Sequence, residues 1–121
     1  MRLFISGPMR GIPNHNFPAF EEARLRLRNK GNDVYCPAES NVASETPEEL
    51  SALMKSHLEQ LLKCDAVIVL PGWSRSEGSK VEITCAVASG IPIYAYHKHR
   101  PEVLELLTNV KIITRAEILN V

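Results

Sequence analysis

Ala66-Val67-Ile68-Val69-Leu70, followed at once by Pro71-Gly72-Trp73, is the stretch whose reading decides the fold. An unbroken apolar run of this length marks a strand buried on both faces, as in a parallel sheet covered by helices on each side. Pro71 and Gly72 end it, and residues 71–78 read as a loop. Ahead of it, Thr46-Pro47-Glu48-Glu49 is a capping box with proline in the first turn. Leu50, Leu53, Met54, His57, Leu58, Leu61 and Leu62 then form one helical stripe. Behind it, residues 79–89 read as a helix closed by Gly90, and residues 91–96 as another strand.

The beginning of the chain follows the same scheme. Residues 2–6 form a short apolar strand that stops at Gly7-Pro8-Met9-Arg10-Gly11-Ile12-Pro13. Asn16 reads as the N-cap of a helix in which Phe17, Phe20, Ala23 and Leu27 recur at helical spacing, with Gly31 as its stop. Val34-Tyr35-Cys36 is a brief strand, and residues 38–45 are a polar loop. Further on, residues 101–107 read as a helix, 111–113 as a last strand and 115–119 as a turn of helix. Strand and helix alternate throughout. The expectation is an α/β chain, one domain over residues 1–121, with a three-layer, doubly wound parallel sheet of about five strands, flavodoxin- or Rossmann-like.

Composition narrows the function. The 121 residues carry 14 basic and 14 acidic side chains, with 45% hydrophobic and 23% charged residues. That is enough for one core and unlike a disordered chain. The balance predicts no attraction to nucleic acid polymers or to an anionic membrane surface. No apolar run approaches the roughly 20 residues of a membrane span. Cys36, Cys64 and Cys85 are odd in number and far apart, which reads as reduced thiols in a cytoplasmic protein. His15, His97 and His99 lack ligand spacing, so no bound metal is expected. Neither a Walker motif nor a GxGxxG fingerprint occurs, and no cofactor is expected.

The two loops richest in glycine and proline both follow strands, which puts them on the carboxyl rim of the sheet, where open α/β sheets bind ligands. Gly7 lets backbone amides approach an anion and Arg10 adds a forked charge; the plain alternative is a tight turn with an exposed arginine. Ser76, Gly78 and Ser79 offer hydroxyls and amides at a helix start. Glu82 falls one turn further on, facing the rim or, equally, serving as a surface carboxylate that stabilises the helix start. His57 is either a hydrogen-bonded core histidine or a proton carrier. Trp73 is either a stacking surface for a base or packing for its own loop.

Leu3-Phe4-Ile5-Ser6-Gly7-Pro8-Met9-Arg10-Gly11, Asn16-Phe17-Pro18-Ala19-Phe20, Cys64 to Trp73, and the spacing Ser76-x-Gly78-x-x-x-Glu82-x-x-x-Ala86-x-x-x-Gly90-x-Pro92 together resemble the nucleoside 2-deoxyribosyltransferase superfamily. More narrowly they resemble a small branch common in bacteriophages and prophages. The resemblance covers roughly residues 1–96 and implies cleavage or exchange of an N-glycosidic bond in a nucleoside or nucleoside 5′-monophosphate. It assigns Glu82 as the nucleophile that forms a glycosyl ester. It gathers Gly7, Met9, Arg10, Ser76 and Gly78 into a phosphate pocket. It also implies a homodimer or higher homo-oligomer, with a neighbouring subunit completing the site.

At two positions the chain departs from the related nucleotide hydrolases: His57 stands where they have an aspartate, and Phe4 where they have a tyrosine. Phe4 has no hydroxyl to donate, whereas His57 still titrates near ~6.5 when unperturbed. The primary expectation is hydrolysis of a (deoxy)nucleoside 5′-monophosphate, with Glu82 and His57 catalytic and Phe4 and Trp73 at the substrate. The alternatives are a deoxyribosyltransferase, or a nucleotide-binding module without turnover.

Overall fold

The computed structural model describes residues 1–37, 46–100, 103–108 and 110. In chain order the elements are β1 (Arg2–Ser6), α1 (Phe17–Asn29), β2 (Asp33–Tyr35), α2 (Pro47–Leu61), β3 (Ala66–Val69), α3 (Glu77–Ala88), β4 (Ile93–Tyr96) and β5 (Leu104–Leu106). The strands form one sheet in the order β2-β1-β3-β4-β5. Strands β1 to β4 are parallel and β5 is antiparallel.

Alternation along the strands sorts the core into two layers. Leu3 and Ile5 of β1, with Ala66 and Ile68 of β3, pack against Phe20, Ala23 and Leu27 of α1. Phe4, Val67 and Val69 point the other way, against Leu61 of α2 and Ile83 and Ala86 of α3. The apolar run quoted first is therefore apolar because both its faces are covered. Asp65 pins the lower end of the sheet: its Oδ2 accepts from the Arg2 amide at 2.7 Å.

The chain leaves β1 to one side for β2 and returns to the other side for β3. The connection reverses between β1 and β3, and the crevice above their carboxyl ends is where such sheets hold ligands.

Three local expectations need correction. Residues 101–107 were expected to be helical, yet Leu104–Leu106 is a strand, with Leu104 beside Tyr96 and Leu106 beside Tyr94. The open edge of β4 has unpaired amides and carbonyls, and successive turns (Arg100 N–H to His97 O, Val103 N–H to Arg100 O) bring the chain straight back along it. The fifth strand is thus antiparallel, and the sheet is mixed. Asn16 precedes α1 without capping it. Its φ of 61° is left-handed, not the extended conformation that aims a cap side chain at the helix amides, and its Nδ2 donates to Pro8 O at 2.9 Å. Helix α3 starts at Glu77, two residues earlier than expected, because Ser76 caps it. The expected loop at 38–45, strand at 111–113 and helical turn at 115–119 lie outside the described residues. Among the described residues no helix is long and apolar enough to cross a membrane.

Candidate active site

Ser6 is the last residue of β1 and shares the face of Phe4, turned toward α2 and α3. Its side chain is fully buried at the switch point beside Val69. Residues 79 and 82 are three apart on a helix and so share one face. Helix α3 lays that face on β1. Ser6 Oγ lies 2.8 Å from Glu82 Oε1 and 3.0 Å from Ser79 Oγ. Glu82 is only 5% exposed. A buried carboxylate needs partners or a proton, and this one has both pressures on it. Burial pushes its pKa up to about 7, while the Ser6 hydrogen bond pulls it down.

Helix α2 supplies the other side. His57 is 7% exposed, and its Nδ1 stands 3.9 Å from Glu82 Oε2, longer than a hydrogen bond. Burial lowers its pKa from the ordinary histidine value. Burial disfavours the charged form of each group, raising the acid and lowering the base, and at 3.9 Å the two are not hydrogen-bonded. His57 Nε2 is buried without a partner among the described residues. Tyr35, at the end of β2, meets the His57 ring edge-on at 6.2 Å between centroids and stacks on Phe4 at 5.4 Å.

The remaining expected site residues are distributed around this centre. Phe4 has no exposed surface and serves as the backing for Tyr35. Gly7 has a packing reason to be glycine, since a Cβ there would stand 2.9 Å from Leu70 Cβ. Met9 is half-buried against the α1 layer, and Trp73 against the α2 and α3 layer. Arg10 is exposed and pairs with no acid among the described residues. Ser76 Oγ accepts from Ser79 N–H at 3.2 Å. That leaves the Glu77 and Gly78 amides at the helix start without intrahelical partners. A Cβ on Gly78 would make only ordinary contact, 3.6 Å from Met54 Cε. Packing therefore does not demand glycine at 78.

Ser6 and Tyr35 were not among the expected site residues, and Ser79, expected as a hydroxyl for an anion at the helix start, turns instead to Ser6. Ser6 had a signal: a hydroxyl at the rim end of an apolar strand, in phase with Phe4. Ser79 had one too, three residues before Glu82. Tyr35 had none, because its place beside His57 comes from a sheet order no local pattern encodes. Among the described residues no three His, Cys, Asp or Glu side chains gather as a metal site. A cavity of about 230 Å³ lined by Val87, Ile91, Ile93, Leu107 and Val110 lies at the other end of β4.

A model of a domain of unknown function (DUF4406) matches residues 1–95. No curated protein matches the sequence. Among solved structures, a 2-deoxyribosyltransferase from Bacillus psychrosaccharolyticus superposes with a TM-score of 0.65 at 18% identity, over 79% of this chain and 72% of its own. A 2-desoxiribosyltransferase from Leishmania mexicana gives 0.61 at 18%, over 78% and 63%. A CMP N-glycosidase from Clostridium botulinum gives 0.56 at 21%, over 99% and 96%. The fold of this chain is the one these proteins share.

Proposed function

The chain belongs to the DUF4406 family, and from that footing we propose that it hydrolyses the N-glycosidic bond of a nucleoside 5′-monophosphate, with Glu82 as nucleophile. The observation that carries the reading is the Glu82 carboxyl itself. It is buried at the sheet's switch point, hydrogen-bonded by Ser6 on one oxygen and faced by His57 on the other. Burial works against the charge of a carboxylate, and carboxyls perturbed in this way cluster at functional sites. The solved structures with this fold include enzymes of N-glycosidic chemistry, which supports the same reading.

The chemistry follows from the groups. Ionised Glu82 attacks the anomeric carbon, the bond to the base breaks, and its electron pair leaves on the base, which takes up a proton. The product is a glycosyl ester on Glu82. Water then attacks the same carbon, and Glu82 leaves as carboxylate. The water's proton passes to His57, which is suited to the task because burial keeps it neutral. The proton released in this step balances the one taken by the base. In this reading Arg10 and the open amides at Glu77 and Gly78 hold the 5′-phosphate.

The test is incubation with a panel of ribo- and deoxynucleoside 5′-monophosphates, following free base by chromatography. Base is expected from the wild type and none from Glu82→Ala. No release from any nucleotide, or equal release by Glu82→Ala, overturns the proposal. A second base in the mixture reports transfer by the appearance of a new nucleotide.

A further inference from the structure

Two serines are buried against Glu82, and hydrolysis as such does not require them. Ser6 is 0% and Ser79 1% exposed, and they come from positions 76 and 3 residues away from the carboxylate. Building on the nucleophile reading of Glu82, we infer that the Ser79 and Ser6 hydroxyls form a directional relay that selects Oε2 as the attacking oxygen and holds Glu82 ionised for attack.

The direction follows from proton counting. Each hydroxyl has one proton. When Glu82 is ionised its Oε1 can only accept, so Ser6 commits its single proton there at 2.8 Å, and the 3.0 Å contact between the two serine hydroxyls is then donated by Ser79. A hydroxyl that accepts one hydrogen bond donates a stronger one. Ser79 thus strengthens Ser6 without touching the carboxylate. Its own N–H is tied to Ser76 Oγ, which fixes the first turn of α3 and the position of its hydroxyl.

Oε1 is occupied by this relay. Oε2 is not: His57 Nδ1 faces it at 3.9 Å, beyond hydrogen-bond distance. The lone pairs available for attack are those of Oε2. After attack, Oε1 becomes the ester carbonyl oxygen and keeps the Ser6 hydrogen bond. When water displaces the carboxylate, charge returns to it, and the same donor meets that charge already in position.

Among the described residues no other charge competes for this role. His57 from α2 is the titratable group that faces Glu82, with Tyr35 of β2 behind it. Lys80, on the helix of Glu82, turns out to Glu77 at 3.3 Å. Arg10 stands exposed on the loop after β1. The faces of β1 and β3 toward α3 are otherwise Phe4, Val67 and Val69. A hydrogen bond to a carboxylate favours its charged form, and among the described residues Ser6 is its one hydrogen-bond donor. Ser6 and Ser79 are therefore positioning residues.

The experiment is a ¹³C NMR titration of the Glu82 side-chain carboxyl in the full chain, for wild type, Ser6→Ala, Ser79→Ala and the double variant, with the pH profile of base release alongside. The Ser6→Ala midpoint is expected to rise by about one pH unit, with release near pH 6 falling about tenfold. Ser79→Ala is expected to shift both in the same direction by less, and to add nothing in the Ser6→Ala background. Unchanged midpoints in folded single variants overturn the relay. So does an effect of Ser79→Ala that is equal with and without Ser6. If Ser6→Ala fails to fold, Ser79→Ala and Ser6→Cys, whose thiol donates weakly, carry the same comparison. The NMR midpoint needs no turnover, so failure of the relay and failure of the hydrolase reading are read separately.

Discussion

Replacing Glu82 by glutamine should stabilise the protein in alkaline solution and not in acid. The amide keeps the size of the side chain and still accepts from Ser6, but it never ionises. In the fold the Glu82 carboxyl titrates near 7, against 4.5 when unfolded. A group that holds its proton more tightly when folded favours the fold below its unfolded pKa. That advantage is lost as pH rises through the folded pKa. At about 1.4 kcal/mol per unit, the wild type should lose about 3 kcal/mol relative to Glu82→Gln between pH 4.5 and pH 8. In thermal unfolding this is roughly 10 °C in Tm for a chain of this size. Any cost of burying the new amide is the same at every pH, so it drops out of the difference. His57 works in the opposite sense, because its lowered pKa weakens the fold as pH falls below 6.5. It is present in both proteins and cancels to first order. Urea unfolding of both proteins at half-unit steps from pH 4.5 to 8.5 measures the effect. A stability difference that stays flat within about 0.5 kcal/mol would show that Glu82 ionises as easily folded as unfolded, and the account of its burial would be wrong.

Two further outcomes are expected. Gly7→Ala should lower stability by about 1–3 kcal/mol in urea unfolding, because the new Cβ stands 2.9 Å from Leu70 Cβ and neither atom has a side-chain torsion to relieve the clash. An unchanged urea midpoint would mean that the strand ends separate freely. Arg10→Ala should raise KM for a nucleoside 5′-monophosphate by about ten- to a hundredfold, the value of a hydrogen bond to a charged group, and leave KM for the matching nucleoside nearly untouched. Equal effects on both substrates would remove Arg10 from phosphate binding.

Most of the sheet was legible because its signals are local. The apolar run at Ala66–Val69, the cap at Thr46 and the stops at Gly31 and Gly90 each carry their own physical cause, and alternation of elements then leaves few topologies. The place of Glu82 was legible as one turn past a rim loop, but its burial was not, since that depends on β1 lying beneath α3. What escaped is what depends on neighbours. Residues 104–106 are too few to show a period, and the exposed edge of β4 decides their form. Asn16 had the chemistry of a cap but took a left-handed conformation and turned to Pro8. Phe4, expected at the substrate from the resemblance, is fully buried and stacks on Tyr35, a contact set by sheet order that no local pattern shows.

Strand β1 lies inside the sheet, between β2 and β3, both of which occur later in the chain. It pairs with Val34 and Tyr35 on one side and with residues 66–69 on the other, and its last hydroxyl meets Ser79 and Glu82 from 73 and 76 positions away. Pairings so remote in sequence close slowly, and only after much of the chain is available. Until α3 docks, the face of β1 that carries Phe4 and Ser6 is only partly covered, and exposed apolar surface of that kind sticks to other chains. Docking of α3 covers that strand and assembles the carboxylate and its serines in the same step. The carboxylate and its serines therefore come together only when α3 packs on β1, and a chain truncated before Glu82 leaves that apolar face uncovered and prone to aggregation.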